Sequence, residues 1–139
     1  MAEGKVEFEL VSPEHLVLSE PVEMVVVPGT NGDFGVLPGH SPLLSTVRMG
    51  IIAIYEAREI VNRIFVAGGF AEVTADRCTV LADVAMPVQD IDGTAVEARL
   101  REAREDERIA STEEERAAAA YEIALAEAQL EASRMAPSH

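Results

Sequence analysis

Up to about residue 88, apolar and polar positions alternate with a period of two. In KVEFELVS, the apolar residues Val6, Phe8 and Leu10 alternate with acids, which is typical of a strand with one buried face. Further short apolar runs follow, each bounded by glycine, aspartate or charged residues: PVEMVVVPG, GIIAIYE, EIVNRIFVAGG, GFAEVTAD and RCTVLADVA. The sequence 75–77 between the last two runs predicts a hairpin tip. Closely spaced strands without intervening helices predict an all-β sandwich or barrel.

From Asp92 the period becomes helical. Val96, Leu100 and Ala103 recur at the spacing of one helix face, and the positions between them are largely charged, so an amphipathic helix is predicted. Thr94 with Glu97 fits a capping box at the start of this helix, and Asp92 is a competing N-cap.

A second helix is predicted after the break IASTEEE. Thr112 and Glu115 fit a capping box, and the segment that follows consists of strong helix formers. Its predicted packing face is a seam of small residues and one tyrosine: Ala117, Ala120, Tyr121, Ala124 and Ala128. Two helices joined by a few residues form an antiparallel hairpin. We therefore predict a β-sandwich domain of residues 1–88, followed by a two-helix domain of residues 89–139.

Charge and cysteine content exclude several classes of function. The 139-residue chain carries a formal net charge of −14, which argues against nucleic acid and against direct insertion into an anionic lipid surface. No apolar run is long enough to span a bilayer, and no basic leader precedes one, so a soluble cytoplasmic protein is expected. The only cysteine, Cys78, lies in a strand-like run and is expected to be a buried, unreactive thiol.

The block VPGTNGDFGVLPGHSPL, rich in glycine and proline, is the strongest candidate for a site. It is not a phosphate-binding loop, because no lysine follows its last glycine and the dinucleotide-binding spacing is absent. His40 and Ser41 are adjacent, so on an extended chain they point to opposite faces and form a poor nucleophilic pair. No catalytic residue and no metal ligand set is assigned. A β-sandwich enzyme that uses His40 and Asp33 remains an alternative.

Two blocks of the sequence resemble the epsilon subunit of F-type ATP synthases, which is the delta subunit in mitochondria. These blocks are VPGTNGDFGVLPGHSPLLSTVRMGI and FVAGGFAEVTADRCTVLADVA, and the resemblance extends over nearly the whole chain. It implies a flattened sandwich of about ten strands followed by two helices. It also implies a non-catalytic rotor subunit of the central stalk that couples the gamma subunit to the ring of c subunits. Such a subunit lies peripherally at the cytoplasmic face of the membrane.

The resemblance assigns roles to the glycine- and proline-rich block. It implies a loop that faces the polar loops of the c-ring, made of Gly29, Thr30, Asn31, Gly32, Asp33, Phe34 and Gly35. Asp33 is expected to make a charge-assisted contact with basic residues of the ring. The residues expected to shape this loop, and to contact gamma or the rotor, are Pro38, Gly39, His40, Ser41 and Pro42.

The resemblance also gives the helices a regulatory role. The hairpin can lie down or extend toward the alpha/beta catalytic head, where it blocks hydrolysis. Candidate contacts with acidic surfaces of the head, which a solvated helix face would explain equally well, are Arg99, Arg101, Arg104, Arg108 and Arg116.

Some relatives bind ATP at the hairpin through the motif I/L-D-x-x-R-A. Ile91 and Asp92 match its start, but Ala95 replaces the arginine. Without that guanidinium we predict weak or absent ATP binding and no other cofactor. A nucleotide-sensing module that binds ATP at the hairpin is the alternative function.

Overall fold

The computed structural model describes residues 4–136. The chain divides into two units, with the boundary between Pro87 and Val88, and ten strands form the first unit. In chain order the strands are β1 Val6–Val11, β2 Leu16–Val22, β3 Met24–Gly29, β4 Gly32–Val36, β5 Leu43–Thr46, β6 Gly50–Glu56, β7 Glu59–Ala67, β8 Phe70–Val73, β9 Arg77–Leu81 and β10 Val84–Pro87. The predicted hairpin tip at 75–77 is confirmed, because β8 and β9 pair antiparallel around it.

The strands divide into two five-stranded sheets, which confirms the predicted sandwich. Their orders are β2-β1-β9-β8-β5 and β10-β7-β6-β3-β4. All pairs are antiparallel except β1 with β9, which run parallel. The alternating apolar residues of both sheets point inward and form one core, exemplified by Phe8, Val25, Ile52, Ile64 and Val80. The period-two pattern therefore marks the buried face correctly.

Three strands were not predicted as separate elements. β2 carries polar residues in its middle, β4 contains two glycines, and β5 has only four residues after a proline. All three lie at the edge of a sheet and pair with one neighbouring strand only. At an edge, burial imposes less of an alternating pattern on the sequence. The run RCTVLADVA, taken as one strand, contains both β9 and the start of β10.

Two helices dominate the second unit. A short 3-10 helix, Val88–Asp90, precedes α1 Gly93–Ile109 and α2 Glu113–Ser133. The side chain of Asp92 accepts hydrogen bonds from the amides of Thr94 and Ala95, so Asp92 is the N-cap and the Thr94 alternative is wrong. The capping box of Thr112 and Glu115 is confirmed, with both of its reciprocal bonds present. Within the described residues, neither helix combines the length and apolar character needed to cross a bilayer.

The contact between the helices confirms one predicted face and corrects the other. Val96, Leu100 and Ala103 of α1 are buried as predicted. In α2 the predicted seam is wrong, because four of its five members are exposed and the fifth, Ala128, is half-buried. The buried residues of α2 are instead Ala119, Leu125, Ala126, Gln129 and Ala132. Alanine lies on every side of α2, so the apolar pattern alone did not identify the packed face.

Candidate interaction site

The glycine- and proline-rich block forms a β-hairpin rather than an open loop. Within the predicted loop of residues 29–35, only Thr30 and Asn31 lie outside strands. β3 and β4 pair up to the tip, where Pro28 faces Asp33 and Gly29 faces Gly32. Side chains at this tip therefore stand on a regular backbone, which holds them more firmly than a loop would.

A third segment braces the tip from the side. The amide of Thr30 donates to the carbonyl of Thr46 at 3.0 Å, and the two threonine hydroxyls lie 2.5 Å apart. The amide of Arg48 donates to the carbonyl of Pro28 at 2.9 Å, and Gly29 forms an isolated bridge with Val47. Residues 46–48, at the end of β5 and the start of its connection to β6, thus hold the end of the hairpin by hydrogen bonds.

The side chain of Arg48 adds an ion pair to this brace. One guanidinium nitrogen donates to Asp33 Oδ1 at 2.5 Å, and the other donates to the carbonyl of Gly29 at 2.5 Å. Both charged side chains are partly exposed, at 43% for Arg48 and 60% for Asp33. Sequence reasoning missed Arg48, because a partner fifteen positions away leaves no local pattern.

A cleft of about 520 Å³ opens beside the tip. Its walls come from the edge strands of the two sheets, and its lining residues are Asn31, Gly32, Asp33, Phe34, Leu43, Leu44, Ser45 and Thr46. Leu44 is 69% exposed here. The lining mixes small polar groups with leucines, a composition suited to contact with another protein surface.

The predicted loop-shaping residues 38–42 connect β4 to β5 without forming a catalytic arrangement. Gly39 donates its amide to the carbonyl of Ala75 at 2.7 Å. His40 Nδ1 donates to the carbonyl of Ser41 at 2.6 Å, so the ring bonds to backbone rather than to the serine hydroxyl. With Asp33 paired to Arg48, the histidine and the aspartate have separate partners. This weakens the alternative of an enzyme that uses both.

An exposed apolar row crosses the outer face of the sheet β2-β1-β9-β8-β5. The strand registers align Leu16 with Val11, Val11 with Leu81, and Leu81 with Phe70. Leu16, Phe70 and Leu81 are 55%, 45% and 40% exposed, whereas Val11 is half-buried. A cleft of about 190 Å³ lies against the row and is lined by Val11, Ser12, Pro13, Gly69, Phe70, Leu81, Ala82 and Asp83. Contiguous exposed apolar groups make this row a candidate surface for contact with another protein.

The predicted regulatory arginines lie on the helices and mostly have partners there. Arg99 donates to the buried Gln129 Oε1 at 2.7 Å, which links α1 to α2. Arg104 pairs with Glu127 on the other helix at 3.3 Å, whereas Arg108 and Arg116 each pair with a glutamate three positions earlier. Arg101 is exposed. These pairs fit the interpretation as a solvated helix face, and a role at the head stays a prediction.

Comparison with known proteins identifies the family. The family profile described as "ATP synthase, Delta/Epsilon chain, beta-sandwich domain" matches residues 5–88. The ATP synthase epsilon chain of Rhodospirillum rubrum is 59% identical over 128 residues, covering 92% of this chain and 96% of that relative. The chain belongs to the ATP synthase delta/epsilon family. The resemblance stated from the two sequence blocks is therefore confirmed.

Solved structures are similar to this family member over both of its units. A chain in the cryo-EM structure of the Euglena gracilis mitochondrial ATP synthase, OSCP/F1/c-ring, matches with a TM-score of 0.78 and 25% identity, covering 96% of this chain and 84% of that one. A chain in the Tetrahymena thermophila mitochondrial ATP synthase central stalk and c-ring structure matches with a TM-score of 0.60. At 15% identity, this second match supports the fold alone.

Proposed function

We propose that this chain is a non-catalytic subunit of the ATP synthase central stalk, and that it couples the gamma subunit to the c-ring during ion-driven rotation. The observation that carries the proposal is that one sandwich presents two candidate interaction surfaces: the apolar row and the braced hairpin tip. A coupling subunit must hold two partners at once. A ten-strand sandwich with a shared core is stiff enough to transmit a load between them.

The apolar row is the proposed gamma-binding surface. Its side chains gain most from burial, at about 1.5–3 kcal/mol for each large apolar side chain that becomes fully covered. Glu9 and Glu72 lie on the same outer face, two positions from Val11 and Phe70 along their strands. An apolar ridge flanked by basic residues is the matching surface for gamma.

The hairpin tip is the proposed c-ring contact, as the family resemblance implies. The tip presents Asn31, Gly32 and Asp33 at the exposed end of β3 and β4. Such a contact places the subunit peripherally at the cytoplasmic face of the membrane, held there by its protein partners rather than by lipid.

The helix pair is the proposed regulatory element, acting on the alpha/beta head. To extend along gamma, α1 and α2 would have to separate, which breaks the Arg99–Gln129 and Arg104–Glu127 contacts and uncovers a small apolar seam. The freed arginines could then pair with acids on the head. The seam contains only a few large apolar side chains, among them Leu100, Ile123 and Leu130, so the free-energy gap between the two arrangements is expected to be small.

ATP is proposed to bind this chain weakly or not at all. The carboxylate of Asp92 already accepts two amide hydrogen bonds at the start of α1, and the motif arginine is Ala95, which has no donor for phosphate. In isothermal titration calorimetry we expect no saturable heat at sub-millimolar ATP. A clear isotherm in that range would instead support the alternative of a nucleotide-sensing module.

The test of the proposed function is ATP hydrolysis by a catalytic head that contains gamma and lacks this subunit. Addition of the full chain should lower the rate saturably, and a chain truncated after Gln89 should bind without lowering it. Leu81→Glu should abolish binding of both forms. Val61→Glu is the matched control, because Val61 is 58% exposed on the other sheet. Absence of binding by the full chain would refute the proposal, and equal loss in both variants would refute the assigned surface.

A further inference from the structure

The hairpin tip lies in a stretch of the chain that is nearly free of charge. Between Met24 and Tyr55 the only Asp or Glu is Asp33 and the only Lys or Arg is Arg48, although the whole chain carries a formal net charge of −14. These two residues pair with each other. The segment proposed to meet the c-ring therefore carries no net charge of its own, in contrast to the acidic remainder of the protein.

Arg48 holds two different parts of the tip. Its guanidinium bonds to Asp33 in β4 and to the carbonyl of Gly29 at the end of β3, and its own amide bonds to Pro28. The planar guanidinium donates in two directions at once, whereas a lysine ammonium acts as a single point charge on a flexible stem. The side chain thereby fixes the direction of the Asp33 carboxylate relative to the turn.

We propose that Asp33 and Arg48 act as one neutral unit, with Arg48 as a positioning residue that sets the shape of the tip for its contact with the c-ring. This inference rests on the proposed function. It replaces the expectation that Asp33 makes a charge-assisted contact with a basic residue of the ring. The contact is then made by backbone groups and neutral side chains of the cleft, such as Asn31, Leu44 and Thr46. Its occupant is a tightly turned polar loop of the ring.

The inference predicts a particular pattern in a double-mutant cycle. Full-length wild type, Asp33→Asn, Arg48→Gln and the double variant are bound to membrane vesicles that carry ATP synthase stripped of this subunit. Each single variant leaves one charge unpaired, so both should weaken binding by roughly two- to fivefold, the range of an exposed ion pair. The double variant should bind no more weakly than either single variant. Arg48→Lys should be intermediate, and raised ionic strength should change wild-type binding little.

A direct contact between Asp33 and the ring would give a different pattern. Asp33→Asn would then weaken binding, Arg48→Gln would leave it unchanged or strengthen it, and salt would weaken the wild type. That result would overturn the inference. Lys5→Met and Glu56→Gln are the controls, because they break an ion pair of 3.2 Å elsewhere in the same unit and should not change binding.

A second measurement separates this inference from the proposed function. In the free chain, the Thr30 amide is bonded to Thr46 beside the Arg48 contact, so Arg48→Gln should speed its hydrogen exchange and Arg48→Lys should do so less. Unchanged Thr30 exchange in both variants would refute the positioning role, whatever the vesicles show. If Thr30 responds but the wild-type chain does not bind the vesicles, the proposed ring contact is wrong and the brace is structural only.

Discussion

Replacement of Gly69 by alanine is expected to weaken the sandwich strongly, because two separate constraints meet at this residue. Gly69 has φ +98°, in a region that L-residues rarely adopt. A Cβ atom there would lie 1.8 Å from the carbonyl oxygen of Leu81 and 2.8 Å from its carbonyl carbon. Both neighbours are backbone atoms of β9, so no side-chain rotation can relieve the overlap.

The magnitude follows from the two constraints. The backbone conformation costs about 1–2 kcal/mol for a residue with a Cβ. Relief of the overlap requires β8 to move away from β9 at the Phe70–Leu81 pair, which sacrifices one or two hydrogen bonds at about 1 kcal/mol each. Gly69→Ala should therefore destabilise the sandwich by about 3 kcal/mol. Gly39→Ala is the matched control, because Gly39 has φ +86° but no atom within 4 Å of its Cβ position, so only the conformational cost of about 1–2 kcal/mol is expected.

The single thiol of the chain provides the assay. Cys78 is fully buried on β9, and this burial raises its pKa to about 12, so the folded protein should resist a thiol reagent. Labelling then reports the population of opened molecules. A difference of about 1–2 kcal/mol, from the lost hydrogen bonds, predicts roughly five- to thirtyfold faster labelling of Gly69→Ala than of Gly39→Ala. Equal labelling rates would refute the reasoning, since they would mean that the overlap with Leu81 is relieved without loss.

Three further changes test the turns and the helices. Hydrogen bonds from Ser111 and then Thr112 lower the pKa of Glu115. The ionised Glu115 therefore stabilises the start of α2 above the ordinary glutamate pKa, and this stabilisation is lost as pH falls through the lowered pKa. Glu115→Gln should remove this acid-dependent part of the helix signal in circular dichroism. Ala57 and Arg58 both have positive φ in the turn between β6 and β7, so the pair Asn-Gly should raise stability to urea by about 1 kcal/mol, and a decrease would contradict the turn geometry. Leu125→Ala should lower the stability of the helix pair by about 2–4 kcal/mol, whereas Tyr121→Ala, at an exposed position, should change that stability by less than about 0.5 kcal/mol. The reverse order in thermal unfolding would support the packing face predicted from the sequence, which includes Tyr121.

The sequence predicted those parts of the fold in which burial imposes a strict pattern. Central strands such as β1 and β6 alternate cleanly, and α1 has a charged side opposite Val96 and Leu100. The pattern fails where burial is one-sided or uniform. β4 contains two glycines at a sheet edge, and α2 has alanine on all sides, so neither the strand nor the packed helix face could be recognised.

The sequence predicted where the candidate site lies in the chain but not the structure that this segment adopts. Glycine, proline and Asp33 marked the correct segment, yet the pattern did not show that most of it forms paired strands. The partner of Asp33 could not be found from the sequence, because Arg48 reaches it only after β3 and β4 fold back and the sequence 46–48 packs alongside them. Ion pairs between distant positions depend on topology, which the local pattern does not contain.

The parallel pairing of β1 with β9 affects how the protein can fold during its synthesis on the ribosome. β1 lies inside its sheet, between β2 and β9, and its residue Glu7 is aligned with Arg77, seventy positions further along the chain. A nascent chain that has not yet delivered β9 therefore exposes one edge of a strand destined for the interior of a sheet, and such edges recruit other strands. The sandwich is completed only when most of its sequence has been made. The helix pair needs only local contacts, so it can form quickly once both helices have emerged.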